Sequence, residues 1–326
     1  MTQAPYRPAW WLPGAHLRTL WGKLFRRTPH VSTRLERWDT PDGDFLDIHR
    51  LEAQPRSPRL LILHGLEGSR RSHYVAGLLD QARRRGWAAD LVVWRSCGDE
   101  LNRAPRFYHS GETTDLDLVV RRLIDTEPGA PLIVAGFSLG GNVLLKWLGE
   151  RGEDLPAEVR AAAAISVPFD LAQGARHIER GFSRVYGTHF LRSLRRKALA
   201  KRQLFPELIR AEALAAARTL WDFDDCVTAP VHGFRNAADY YARSSSLNFL
   251  ARIRCPTLLL SARDDPFLPP AVLDDVRAIA ARNAALSVEF VEKGGHVGFI
   301  GGAVPWRPVY YAEWRVAEWL GRALEN

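Results

Sequence analysis

Gly136-Phe137-Ser138-Leu139-Gly140-Gly141 is the stretch on which the reading of this chain turns. It fits the pattern G-x-S-x-G. An apolar, partly β-branched run, Pro131-Leu132-Ile133-Val134-Ala135, precedes it and reads as a buried strand. Residues 142–148 read as a helix. A serine on so sharp a strand-to-helix turn needs a strained backbone, and the glycines two before and two after it remove Cβ atoms that would collide there. The turn also sets the hydroxyl near a helix N-terminus, where developing negative charge is favoured. Ser138 is therefore the candidate nucleophile, with an ordinary glycine-rich turn as the alternative.

Short apolar runs and helical patterns alternate on both sides of this turn. Residues 34–51 alternate apolar and polar around Pro41-Asp42-Gly43-Asp44 and predict a β-hairpin. Strands are expected at 60–63, 89–94, 132–135 and 162–167, with helices at 72–85 and 114–126. From 168 to 252 the alternation lapses into helix-like pieces without a buried strand, and this segment reads as a helical lid inserted over the carboxyl ends of the strands. The alternation resumes with a strand at 257–260, a helix at 270–283, a strand at 287–291 and a final helix at 310–324. Such a pattern predicts one α/β domain over residues 1–326, its mostly parallel sheet covered by helices on both faces. Ligands of open sheets of this kind bind outside the carboxyl ends of the strands.

The 326 residues suffice for one large domain, and 46% hydrophobic with 25% charged residues is ordinary for a globular enzyme. Cys97, Cys226 and Cys255 lie far apart without C-x-x-C spacing, which argues against a disulfide framework or a zinc site and fits a reducing cytoplasm. Neither a signal peptide nor a membrane-spanning apolar run is read. The net charge of +8 raises nucleic acid as a partner, but the densest basic run, 192–202, carries Leu191, Leu194, Ala198 and Leu199 at helical spacing. Its charges read as a helix's solvated outer face, and nucleic acid is not expected. Residues 16–27 within the aromatic and basic segment 1–30 read as a short amphipathic helix. Packing of its aromatics against the main domain is the first expectation; contact with an anionic membrane surface or a lipid substrate is the second.

A serine hydroxyl needs a neighbouring base, and histidine titrates in the useful range. His296, in the glycine-rich loop Gly294-Gly295-His296-Val297-Gly298-Phe299 after the strand at 287–291, has the best setting of the ten histidines. An acid should orient it. Asp264 and Asp265 both follow the strand at 257–260; Asp265, just before a Pro-x-x-Pro turn, is favoured, leaving Asp264 to cap or bridge. The order Ser138, Asp265, His296 is that of the α/β-hydrolases. In that fold one oxyanion N–H comes from a loop after an early strand and another from the residue after the nucleophile, here Leu66 and Leu139. His64 is expected to support the Leu66 loop. Tyr108-His109-Ser110-Gly111 reads either as site-lining or as a buried turn. Asp222-Phe223-Asp224-Asp225 with His232 mixes possible metal ligands but reads as the return from the lid.

These strings resemble the YheT-like branch of the α/β-hydrolases, related to ABHD-type lipases and esterases, over almost the whole chain. The resemblance rests on Pro8-Ala9-Trp10-Trp11-Leu12, His16-Leu17-Arg18-Thr19-Leu20, His64-Gly65-Leu66-Glu67-Gly68-Ser69, Asn102-Arg103, Tyr108-His109-Ser110-Gly111, Asp264-Asp265-Pro266-Phe267 and Gly294 to Gly302. It implies hydrolysis of carboxylic esters, with lipid-like esters such as acylglycerols among them, no cofactor and no metal. Acyl transfer or thioester cleavage on the same residues, or a non-catalytic scaffold, are the alternatives.

Overall fold

The computed structural model describes residues 5–325. Its elements, in chain order, are α1 (Ala15–Phe25), β1 (Arg34–Asp39), β2 (Phe45–Leu51), β3 (Arg59–Leu63), α2 (His73–Arg84), β4 (Ala88–Val93), α3 (Thr114–Thr126), β5 (Leu132–Phe137), α4 (Leu139–Arg151) and β6 (Val159–Ile165). The inserted segment then contributes α5 (Leu171–Ile178), α6 (Arg184–Leu204), α7 (Ala211–Ala216), α8 (Leu220–Phe223), α9 (Ala229–Val231) and α10 (Ala237–Ser244). The chain closes with β7 (Thr257–Ala262), α11 (Pro270–Ala280), β8 (Leu286–Val291), the two-residue strands β9 (Ile300–Gly301) and β10 (Val309–Tyr310), and α12 (Tyr311–Glu325).

The main sheet has eight strands in the order β1-β2-β4-β3-β5-β6-β7-β8. β1 pairs antiparallel with β2 and β2 with β4, as expected of the hairpin, and every later pairing is parallel. The buried runs behave as a sheet covered twice should. Leu60, Ile62, Ile133 and Ala135 pack with residues of α2 and α12. Their alternating neighbours Leu61, Leu63 and Val134 pack with residues of α3 and α4. Each strand therefore feeds two cores, and no polar face interrupts it.

Strand order reverses at β3, whose successors β4 and β5 lie on opposite sides of it. Leu63 pairs with Gly136, Phe137 with Ile165, Ile165 with Leu260 and Ala262 with Val291, so the loops after β3, β5, β6, β7 and β8 open along one edge. That edge, beside the reversal, is where the fold leaves a crevice. Among the described residues, no helix is long and apolar enough to cross a membrane.

Two sequence expectations shift in the structure. α4 begins at Leu139, three residues earlier than predicted, because Ser138 itself is the helix N-cap and leaves no connecting loop. The basic run of α6 is an outer face only in part. Arg192 and Arg196 are exposed, but Lys201 is fully buried and donates to the Asn102 and Ala104 carbonyls. Lys197 is half-buried and pairs with Glu67. Long cationic stems can lie along an apolar surface and reach buried acceptors, which helical spacing alone does not reveal.

The turn at Ser138 depends on close backbone approach. A Cβ on Gly136 would come within 2.5 Å of the Gly140 carbonyl oxygen, and one on Gly140 would overlap the Leu63 and His64 carbonyls. Gly140→Ala should therefore lower stability by about 2–3 kcal/mol, read from urea unfolding; an unchanged midpoint would show that the turn can relax.

Candidate active site

Ser138 sits at φ 51°, ψ −117°, in the left-handed half of backbone space. Its N–H donates to the Ile165 carbonyl at 2.8 Å and its carbonyl accepts from Asn142 N–H at 3.0 Å, so β6 and α4 hold the strained residue from both sides. Strain recurs around it. Glu67, Ser166 and Val297 also have positive φ, and all four line one cavity. For a β-branched residue such as Val297 this conformation is a true outlier, costing on the order of 1–3 kcal/mol, and such strain gathers where function demands it.

The structure brings together all three residues selected from the sequence. His296 Nε2 lies 3.0 Å from Ser138 Oγ, and His296 Nδ1 lies 2.8 Å from Asp265 Oδ2. In the matching tautomer Nδ1–H donates to Asp265 and Nε2 accepts the serine hydroxyl proton. The second Asp265 oxygen accepts the Phe267 N–H at 2.8 Å, and the Phe267 ring stacks on the His296 ring with centroids 4.0 Å apart. Phe267 thus limits imidazole rotation, a role its place in a turn string did not announce.

Asp264 takes a different part. Its Oδ1 accepts the N–H groups of Gly294 and Gly295 at 2.7 and 2.8 Å, and its Oδ2 pairs with Arg18 at 3.1 Å. Thr19 Oγ1 accepts the His296 N–H at 2.9 Å. The loop that carries His296 is therefore clamped between the turn after β7 and helix α1. A Cβ on Gly298 would meet the Arg18 carbonyl at 2.6 Å, which shows how closely α1 lies on it. Nothing in the pattern of residues 16–27 signalled this contact.

The Leu66 loop is fastened on either side of its tip. Gly65 N–H donates to Tyr74 Oη at 3.1 Å and Glu67 N–H to Tyr108 Oη at 2.8 Å. Tyr108 in turn donates to Glu67 Oε1, and the Glu67 carboxylate also accepts from Lys197 and Ser193 of α6. Burial alone would raise that carboxyl, but the Lys197 charge and these hydrogen bonds outweigh it and hold it below the ordinary range. Between the two fastened residues, the N–H of Leu66 has no partner among the described residues, and neither has that of Leu139. Beneath the loop, the fully buried His64 donates from Nδ1 to the Gly65 carbonyl and accepts the Trp94 N–H at Nε2. It supports the loop and is remote from any base role.

The Tyr108 string turns out to line the cavity and to form a buried turn at once. Asn142 of α4 donates to the Ser110 and Ser244 carbonyls, both at 2.8 Å, and accepts the Ser246 N–H, tying the end of the inserted segment to the helix behind Ser138. The cavity measures about 460 Å³. Ser138 and His296 line it, together with Ile178, Phe190, Leu194 and Phe223 from the inserted segment.

The aspartates suspected as metal ligands go to separate structural partners. Asp222 closes a capping box with Thr219, Asp224 accepts from Thr228 and Tyr241, and Asp225 accepts the Ala237 N–H. His232 instead approaches His109 and Glu112, one ligand-type atom of each lying within 4.8 Å of the others. Arg106 already pairs with Glu112, whose other oxygen accepts from Thr114. A guanidinium in that place suits an ion-pair cluster better than a divalent cation.

The comparisons with known proteins follow the geometry. The alpha/beta hydrolase fold family matches residues 58–303. The chain is 38% identical to YheT of Escherichia coli (strain K12), whose own esterase assignment is provisional, over 99% of this chain and 95% of that one. It belongs to the alpha/beta hydrolase family, in the YheT-like branch. Phospholipase ABHD3 of Mus musculus is 30% identical over 94% of this chain and 75% of its own length. The esterase PF2001 of Pyrococcus furiosus superposes with a TM-score of 0.58 at 19% identity, covering 89% of this chain and 90% of that one, which shows the shared fold. Within this hydrolase, the Glu67 fastening lies wholly inside residues 58–303, whereas the contact of α1 with the His296 loop brings in a helix from outside the matched range.

Two outcomes follow from this arrangement. Asp264→Ala strands the buried Arg18 charge and frees two N–H groups, so stability should fall by about 3–5 kcal/mol in urea unfolding; a loss under about 1 kcal/mol would mean the pair behaves as a surface one. Burial holds the imidazoles of His64, His73 and His232 neutral, with pKa values lowered to about 4. The unfolded chain binds these protons from about pH 6.5 downward, so stability should rise with pH between about 4 and 6.5 and be lost on acidification through that window. Asp224, pushed up to about 6 by burial, works in the opposite sense, as do the burial-raised carboxyls of Asp90, Asp115, Glu179 and Glu313, while His109, lowered to about 3 by burial, adds to the histidines. Calorimetric Tm values should therefore decrease as the pH is lowered from about 6.5 to 4; a flat profile would contradict the burial argument.

Proposed function

We propose that this protein hydrolyses carboxylic esters of lipid-like character through an acyl-enzyme on Ser138. The observation that carries the reading is the chain Ser138 Oγ, His296, Asp265, with contacts of 3.0 and 2.8 Å, lining a cavity whose walls are largely apolar. Family membership supports it, as does the phospholipase activity named for the ABHD3 relative.

In this mechanism Ser138 Oγ attacks the ester carbonyl carbon while its proton passes to His296 Nε2. Asp265 holds the imidazole and stabilises the imidazolium. The carbonyl oxygen becomes an oxyanion that accepts hydrogen bonds from the unpartnered N–H groups of Leu66 and Leu139, the latter at the start of α4 where the helix dipole also favours negative charge. Collapse breaks the carbon–oxygen bond to the leaving alcohol, which takes the proton from His296. A water molecule then gives its proton to His296 and attacks the acyl carbon; the second collapse releases the carboxylic acid and returns the proton to Ser138. No cofactor enters any step. The inserted helices act as the lid: Ile178, Phe190, Leu194 and Phe223 supply the apolar wall against which an acyl chain would lie.

A fluorophosphonate probe should label the wild type, and Ser138→Ala should abolish both labelling and hydrolysis, the latter by roughly 10⁴-fold or more. Labelling retained at another residue would overturn the assignment. Asp265→Asn should cost about 10³–10⁴ in kcat, and Tyr108→Phe, which frees the Glu67 N–H beside Leu66, about ten- to a hundredfold in kcat with KM little changed. A p-nitrophenyl ester panel should favour medium or long acyl chains over acetate; a preference for acetate would count against the apolar wall as an acyl site.

A further inference from the structure

Helix α1 packs only part of its apolar surface inward: Leu20 lines the Ser138 cavity and Trp21 packs on Trp11, while other apolar residues remain outside. Its buried residues are Arg18 and Gly22. Arg18 turns inward to Asp264, and a Cβ on Gly22 would run into the His73 ring of α2. The apolar residues Leu17, Leu24 and Phe25 face outward, 51%, 62% and 64% exposed. The neighbouring start of α6, held to α1 through His16 and Tyr186 and through Lys23 and His189, adds exposed Phe182 and Val185. Trp10, 79% exposed, donates to the Ala303 carbonyl and so lies against the loop that carries exposed Trp306. Of the large apolar side chains left exposed among the described residues, Leu35 of β1 and Val309 of β10 lie outside these segments and the rest of α6.

Charge is distributed to match. Residues 5–30 contain five Lys or Arg and no Asp or Glu, and α6 contains seven and none. Lys23 and Arg27 are exposed and form no salt bridge with any described residue. A stripe of large apolar side chains edged by unpaired cations, with no carboxylate in either helix, fits the boundary of a negatively charged lipid layer, where apolar groups enter beneath the headgroups and cations remain among the phosphates. A second protein copy carrying the same positive charge would be repelled from this face. The cavity opens here too, since Lys23, His189 and Arg71 are both exposed and part of its lining.

We propose that α1 and the start of α6 dock this protein on an anionic bilayer, with the mouth of the Ser138 cavity turned toward the lipid. The docking stands on exposure and charge, and its test needs no catalytic activity, so it can fail or succeed independently of the esterase reading. Full-length protein is sedimented with phosphatidylcholine vesicles and with vesicles in which a third of the lipid is phosphatidylglycerol. The wild type should pellet with the phosphatidylglycerol vesicles and remain largely in the supernatant with phosphatidylcholine alone, and binding should weaken with added salt. The Leu24→Asp/Phe25→Asp variant, checked for an unchanged thermal melt, should bind at least about tenfold more weakly. Arg27→Glu, altering only an exposed cation, should lower anionic binding while leaving the apolar stripe intact. Equal pelleting of wild type and the apolar variant would overturn the proposal. So would a wild-type dimer in sedimentation velocity that becomes monomeric in the variant without any vesicle binding, since the stripe would then be an interface between copies.

Discussion

The structure turns on the meeting of backbones around Ser138. Gly140 lies against the carbonyls of Leu63 and His64, and Gly136 against Gly140, so β3, β5 and α4 approach more closely than side chains would allow. That contact aligns the ends of β3 and β5 through the Leu63–Gly136 pairing, and it brings the Leu66 loop beside the hydroxyl. A Cβ on Gly65 would lie only 3.2 Å from the Ser138 Cβ. The strain in the serine backbone is sustained because the hydrogen bonds to Ile165 and Asn142 leave it no other conformation.

Around this point the molecule devotes its charged and polar groups to holding loops. Asp264 collects two backbone N–H groups and a buried arginine, Glu67 collects Tyr108, Lys197 and Ser193, and Asn142 satisfies three backbone groups. Each joins segments far apart in sequence: α1 to the His296 loop, α6 to the Leu66 loop, α10 to α4. A group that fixes the geometry of another residue need not touch a substrate to matter, because displacement of about 1 Å at reacting atoms can cost two orders of magnitude in rate. The inserted helices are consequently wired to the Leu66 loop through Glu67, as well as lining part of the cavity.

Much of the site was legible in one dimension. G-x-S-x-G and the aspartate pair each follow a buried apolar run and the Gly-Gly-His loop follows the half-buried strand β8, and the parallel sheet puts all such loops along one edge. Local pattern favoured Asp265 over Asp264 through the Pro-x-x-Pro turn, and the structure sets Asp265 against His296. The other functions were not legible. Arg18, Thr19, Tyr74 and Phe267 act through contacts that span from a few to nearly three hundred positions along the chain, and no periodicity encodes such a meeting. Lys197 and Lys201 read as solvated because helical spacing records which side a residue occupies, while long side chains reach around to acceptors elsewhere.

The sequence by itself determined the alternation of buried strands and helices, the positions of the serine, histidine and acid, and the glycines that the sharp turn requires. These are consequences of apolar periodicity and of allowed φ and ψ, which act over a few residues. Only the tertiary structure decided which face of α1 is buried. The local pattern predicted that the aromatics of this segment would pack inward, and Trp11 and Trp21 do so against Ala9, Leu12 and Ile300, but Asp264 also drew Arg18 inward and the His73 ring of α2 took the space beside Gly22. Pairing a cation inside left the apolar stripe outside, because a rigid helix cannot present both faces to the same core.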